Sequence, residues 1–258
     1  MNKAEVLDIV RENVGRDKAS AHMLDWALAE GLREIEKTGN YYWMKAVKTW
    51  SAVVDQQAYS LTTSSSSGLN IPNYKDARIL LISDQTLSNP DWDEVFGPID
   101  IEDIGLQFAD TDEGMSVAWA LDEATSTGTL EDPATAATSP NILLYPPKPD
   151  KTYSLRLHYF QWTSLPAATT SSAHEVLLRW PEALIYLATE ALLTSITKDP
   201  QFGAVWRQKF SSKPEGELQK IIRYNRNRSQ DSRIEFRPFR GGLMHRRMKW
   251  RRNREIWL

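Results

Sequence analysis

The sequence predicts an α+β fold, and three observations carry that reading. Apolar residues recur at three- and four-residue spacing near both ends of the 258-residue chain. Between about residues 45 and 165 the period shortens to two, in short β-rich runs. Proline, glycine and small polar residues punctuate the change at each side. A hydrophobic share of 41% with 25% charged residues supplies enough apolar surface for a core and excludes disorder throughout.

Taken in order, Ala4, Leu7, Val10 and Val14 predict a first amphipathic helix. A second runs from about Ser20, with Leu24, Ala27, Leu28, Leu32 and Ile35 on one stripe, and Thr38-Gly39-Asn40 ends it. The aromatic exit Tyr41-Tyr42-Trp43 follows. Alternation over residues 47–54, a turn at Asp55-Gln56-Gln57 and Tyr59-Ser60-Leu61 predict a hairpin. Residues 77–82 and 116–121 have strand length and composition. A second hairpin is expected from Asn141–Tyr145 and Tyr153–Tyr159, joined through Pro146, Pro147 and Pro149. Helix returns at Pro181, which suits a first helical position, with Leu184, Leu187, Ala188, Ala191 and Leu192 on a stripe. Asp199 is placed to cap the next helix, which Phe202, Val205, Trp206 and Phe210 line, and Leu218, Ile221 and Ile222 continue the stripe beyond Pro214. The resulting division is N-terminal helices over 1–44, an antiparallel β-rich insertion over 45–172, C-terminal helices over 173–228, and an extended arm over 229–258.

The chemistry available is narrow. With no cysteine, thiolate catalysis, disulfides and Cys-based zinc sites are excluded, and four scattered histidines make no His-rich metal site. Asp110, Asp112, Glu113 and Gly114 echo a calcium loop, but the glycine falls one position early and Leu121 stands where a bidentate glutamate belongs. Asp91, Asp93, Glu94, Glu102 and Asp103 read as a solvated acidic face. His22 and His158 read as structural residues, as do Trp26, Trp119, Trp162 and Trp206, which are expected in the core. No nucleophile, base and orienting group can be assembled, so no enzyme and no cofactor are expected. No apolar run approaches the ~18 residues of a membrane span, and the N-terminus lacks the apolar stretch of a signal peptide.

Asn40-Tyr41-Tyr42-Trp43, the run Leu144-Tyr145-Pro146-Pro147-Lys148-Pro149-Asp150 with the strand to Tyr159, Leu165-Pro166, and the helix start Trp180-Pro181-Glu182-Ala183-Leu184 occur here in a fixed order. In that layout the chain resembles the head-to-tail adaptor (connector) proteins of tailed bacteriophages over roughly residues 3–228. It departs from them between Asp84 and Thr138 and at Pro214. The resemblance implies a bundle of the N- and C-terminal helices carrying the β-rich insertion. It also implies a homo-oligomeric ring, usually a dodecamer, that assembles in the host cytoplasm and sits in the virion neck. Such a ring joins the portal to tail (nozzle or tail-tube) proteins and passes DNA non-specifically through its channel.

The formal charge of −3 conceals a strong polarity. Residues 201–258 carry 16 Lys and Arg against 5 Asp and Glu, which leaves 15 basic and 29 acidic residues in 1–200. An acidic body with a basic tail points to an interaction arm. Its candidate partner-binding residues are Arg233, Phe236, Arg237, Phe239, Arg240, Arg246, Arg247, Met248, Lys249, Trp250, Arg251, Arg252, Arg254 and Trp257. Aromatic anchors interleaved with arginine favour a protein partner, the portal or the neighbouring subunit, because phosphate binding alone needs no apolar anchors. The rival reading is a nucleic-acid-binding protein that uses the same arm. A metal-dependent hydrolase built on Asp110 or Asp112 is a distant third.

Overall fold

A computed structural model of the chain describes residues 1–16, 18–61, 68–71, 73–84, 86, 91–101, 103, 108, 112–122, 141–167, 174–212 and 215–235, with side chains as far as Arg228, Thr197 excepted. The fold is α+β and divides into two units. One comprises Met1–Met44 together with the chain from Trp162 onward through the last helix, and the other spans Lys45–Gln161.

In the helical unit, α1 (Lys3–Val14) opens on a capping box: the Glu5 amide donates to Asn2 Oδ1 at 2.9 Å, and the Asn2 amide donates to Glu5 Oε2 at 3.0 Å. Its buried stripe is Val6, Val10 and Val14, so the inward face is turned from the one expected and Ala4 is exposed. α2 (Ala21–Lys37) is capped by Ser20 and buries Leu24, Ala27, Leu28, Leu32 and Ile35, the stripe expected from the sequence. The three leucines and the isoleucine are each at most 2% exposed and contribute on the order of 2 kcal/mol apiece.

α3 (Glu175–Arg179) is a short turn of helix that leads through Trp180 into α4 (Pro181–Leu192). Pro181 occupies the first turn of α4, as its missing N–H allows. α4 buries residues around much of its circumference, as a helix covered by several others must. Its main neighbours are α1, α2, α3 and α5 (Pro200–Ser211), and the last helix also touches it. Gly31 of α2 permits one of these approaches, since a Cβ there would lie 3.3 Å from Leu187 Cβ. A π-helical turn, Leu193–Thr197, ends at Lys198 in the left-handed region, and Asp199 then caps α5 by accepting from the Phe202 amide at 3.0 Å. α5 buries Gly203 and Phe210, whereas Phe202 and Val205 are 50% and 47% exposed, not on an inward stripe. The last helix, α6 (Glu217–Glu235), buries Ile221 and leaves Ile222 exposed.

The second unit is a seven-stranded sheet: β1 (Lys45–Ser51), β2 (Ala58–Ser60), β3 (Tyr74–Ser83), β4 (Asp93–Ile99), β5 (Ala118–Asp122), β6 (Asn141–Tyr145) and β7 (Ser154–Gln161). Their spatial order is β1-β7-β3-β4-β5-β6-β2. All pairings are antiparallel except β4 with β5, which is parallel, so the expected purely antiparallel insertion is corrected at that junction. Neither expected hairpin forms. β1 pairs with β7 and β2 with β6, while β6 and β7 have other partners on both sides. Prolines without N–H groups fill the β6–β7 connection and cannot carry a ladder across it, so the strands satisfy their hydrogen bonds with sequence-distant neighbours.

Tyr59, Leu80, Ile82, Val95, Trp119, Ile142, Leu144, Leu155 and Leu157 build the core of this unit. Trp119 is fully buried, as expected. Gly97, with φ +152°, lies so close to it that a Cβ would come within 2.4 Å of the Trp119 carbonyl oxygen. Glycine is required there by space and by backbone conformation alike.

Candidate partner-binding site

Two of the segments that carry the sequence resemblance, Asn40–Trp43 and Trp180–Leu184, meet in the helical unit. After α2, the chain turns through the 3-10 segment Tyr42–Met44 and stacks Tyr41 on Trp43, ring centroids 4.4 Å apart. Trp43 reaches Trp180, at the start of α4, at 5.5 Å. Tyr224 of α6 closes the cluster, 5.2 Å edge-on to Trp180 and 5.9 Å from Tyr42. Aromatic pairs at these separations add about 0.5–1.5 kcal/mol each beyond the area they bury.

Polar contacts pin α6 to this cluster. The Tyr42 amide donates to Asn225 Oδ1 at 3.1 Å, and Asn225 Nδ2 donates to the Asn40 carbonyl at 3.2 Å. The Arg228 guanidinium lies 4.1 Å above the Tyr42 ring, and that of Arg179 lies 4.9 Å above Tyr224. Tyr42 Oη and Arg179 Nε both donate to Glu175 Oε1. Burial, reinforced by Glu175, pushes the Tyr42 phenol above its usual range. Positions 217, 221, 224, 225 and 228 therefore form the docked face of α6.

Beneath lies a polar chain that the sequence reading passed over. Glu36 is wholly buried and accepts from the Thr163 hydroxyl and, at 3.2 Å, from the Thr163 amide. His174 Nδ1 accepts from the Val176 amide at 3.2 Å, so the ring proton sits on Nε2 and points to Thr163 Oγ1 at 2.8 Å. Burial raises the Glu36 carboxyl, against the opposing hydrogen bonds from Thr163, and pushes His174 down to about 4. The chain is thus a relay of hydrogen bonds from a neutral histidine through a hydroxyl to a carboxyl, and its role is to tie α2, the segment after β7 and the start of α3 together. The sequence held a signal for it: Glu36 falls on the apolar stripe, four residues after Leu32.

Trp26, expected in the core, is 43% exposed. Together with Lys3, Asp25, Glu30, Arg33 and Thr163–Leu165 it lines a groove of about 360 Å³. Lys3 and Asp25 form an ion pair across part of it at 2.7 Å, and Arg33 covers Trp162 at 4.5 Å.

Of the arm residues singled out in the sequence, Arg233 lies within helix α6. Phe236, Arg237, Phe239, Arg240, Arg246, Arg247, Met248, Lys249, Trp250, Arg251, Arg252, Arg254 and Trp257 lie outside the described residues. Of the calcium-loop echo, Asp110 also lies outside them, and the backbone of Asp112–Gly114 is tied to Lys148. Asp93 and Glu94 stand exposed on strand β4, as a solvated acidic face. No cluster of histidine and carboxylate side chains with metal-binding geometry occurs among the described residues. Nor is any described helix long and apolar enough to cross a membrane.

None of the curated proteins compared matches the chain. The model of the SU10 adaptor protein family, by contrast, matches residues 1–238, which include both helical segments, the whole sheet and α6. With its aromatic exit, its Trp180-Pro181 helix start and its last helix joined in one cluster, the chain belongs to the SU10 adaptor protein family, a family of phage head-to-tail adaptors.

Proposed function

We propose that the chain is one subunit of a ring, a dodecamer by the resemblance, that joins the capsid portal to tail proteins in the virion neck and extends the DNA conduit. Its basic C-terminal arm docks on the portal or on the neighbouring subunit. Membership of the adaptor family supports the assembly as a whole. The observation that carries the arm's role is the charge polarity: a net +11 over residues 201–258 follows an anionic body and is interleaved with aromatic side chains. A ring closes through two different complementary faces on each subunit. The exposed apolar side chains of Trp26, Phe202 and Val205 suit such contacts better than they suit water.

The test compares the full chain with one ending at Glu235, mixed with purified portal and imaged as particles. The shortened chain is expected to keep its fold and its rings but to bind portal far more weakly. Unchanged portal binding refutes the arm's role, and a full chain that forms no closed particles, alone or with portal, refutes the ring. The second reading, a nucleic-acid-binding protein, draws on the same arm. It requires duplex affinity at physiological salt that disappears in the shortened chain.

A further inference from the structure

β1 stands at one end of the sheet, with β7 as its neighbour. Just past the last pair of that ladder, the Ala52 amide donates to the Tyr153 carbonyl at 2.7 Å. In an antiparallel pair the backbone groups of alternate residues turn to the same side. Ala46, Lys48 and Trp50 therefore direct theirs to β7. Val47, Thr49 and Ser51 direct N–H and C=O to the open side, at a spacing of ~6.8 Å. Among the described residues no strand or bridge lies there. Val47 is 54% exposed, and Thr49 and Ser51 are exposed with it. Val53 and Val54, just beyond the strand, are 49% and 46% exposed. The strand is seven residues long and carries neither proline nor bulge, two of the devices that close an edge to other chains.

Charge narrows what can pair with this edge. β1, β7 and β3 together carry Lys45, Lys48, Lys75, Arg78 and Arg156 against Asp76 alone. Burial, with Arg156 and Arg78 close by, pushes the His158 imidazole among them below its usual range. Residues 79–147 are the reverse, with 14 Asp and Glu and no Lys or Arg. From this juxtaposition we infer that the open edge of β1 takes an acidic, extended segment of a second copy of this chain. Two β1 edges paired about a twofold axis would bring Lys45 and Lys48 of both strands together, which is unfavourable. An acidic segment meets the same lysines favourably, and a contact between two different surfaces is the kind that closes a ring. Backbone donors and acceptors in a row, flanked by exposed valines, select a polypeptide strand over a nucleic acid. The inference rests on the ring reading for the presence of a second copy. It places one contact between copies on the sheet unit, separate from the arm.

The experiment compares the full-length chain with Thr49→Pro, Thr49→Val and Lys48→Glu/Arg78→Glu. Proline at 49 removes an N–H that points away from β7, so it blocks the edge and leaves the ladder intact, as edge strands allow. Valine keeps the donor and the strand preference. The double glutamate variant leaves the backbone alone and reverses the charge, and circular dichroism with thermal melting checks the fold of every sample. Subunit association is followed by sedimentation and particle imaging, and amide exchange is read at Val47, Thr49 and Ser51. The wild type is expected to gain at least about tenfold protection at these amides on assembly. Thr49→Pro should associate about tenfold more weakly and Thr49→Val as well as the wild type. The double glutamate variant should also associate more weakly, with a defect that shrinks as added salt shortens the ~8 Å screening length of physiological buffer. Rings formed equally well by the proline and the double glutamate variants overturn the edge contact and leave the ring standing. So do wild-type rings in which these amides exchange as fast as in the monomer. A wild type that stays monomeric overturns both readings. Protection that appears only with added portal, tail protein or duplex DNA overturns the second copy as occupant and assigns the edge to that molecule.

Discussion

Acidification should unfold this protein in part through one imidazole. His174 is held neutral, with its proton on Nε2 and its Nδ1 capping α3, in surroundings that push its pKa from 6.5 to about 4. A histidine depressed in the fold binds its proton more readily in the unfolded chain. Its contribution is therefore complete above pH 6.5 and is lost as pH falls toward 4. The full shift corresponds to about 3 kcal/mol, and about 2 kcal/mol of it should be gone by pH 5. Glu36, raised by burial, works in the opposite direction, gaining stability as it takes up a proton. Comparison with His174→Asn cancels that contribution, because Glu36 is present in both proteins. Asparagine is also a good N-cap and can replace the bond to the Val176 amide. Urea unfolding followed by tryptophan fluorescence at pH 7.5 and pH 5 gives the difference. The variant is expected to start about 1 kcal/mol less stable at pH 7.5, having lost the bond to Thr163, and to lose about 2 kcal/mol less than the wild type on acidification. Equal acid losses in the two proteins refute the buried neutral imidazole.

Two further outcomes follow from the packing. Asn225→Ala removes the two bonds that hold α6 to the Asn40–Tyr42 backbone, at a cost of about 1–3 kcal/mol. Amide exchange should then quicken over residues 217–228 while that of α2 stays unchanged, and equal protection in both proteins argues against Asn225 as the fastening. Gly97→Ala places a methyl group where a carbonyl oxygen lies at 2.4 Å, beside the fully buried Trp119. It should cost about 2 kcal/mol or more, seen as a lower melting temperature and a more exposed tryptophan emission, whereas a variant as stable as wild type contradicts the close approach of β4 and β5.

The helices were the legible part of this sequence, and the reason is local. Ser20 and Asp199 cap helices as their side chains dictate, Pro181 starts one, and the α2 stripe from Leu24 to Ile35 faces inward residue for residue. Strand positions were also readable, since 77–82 and most of 116–121 fall in β3 and β5. Pairing was not. The partners of β1 and β2 lie some hundred and some eighty residues away, and nothing within an alternating run names its neighbour. Exposure was misread where a residue type suggests a core but an assembly surface is equally suited, as for Trp26, Phe202 and Val205. Glu36 and His174 escaped notice because one looks like an ordinary helix acid and the other like a loop residue; only the fold brings Thr163 between them.

The ladder between β1 and β7 sets Lys45 opposite Phe160, so the polypeptide passes into the sheet unit and out of it through a single doorway. A guest entered in this way can be enlarged, trimmed or exchanged by a lineage without reopening its host: a loop of a few residues from Met44 to Trp162 would suffice to seal the threshold. Evolution can therefore tailor whatever the sheet presents to the outside on its own schedule, leaving the scaffold around α4 under separate selection.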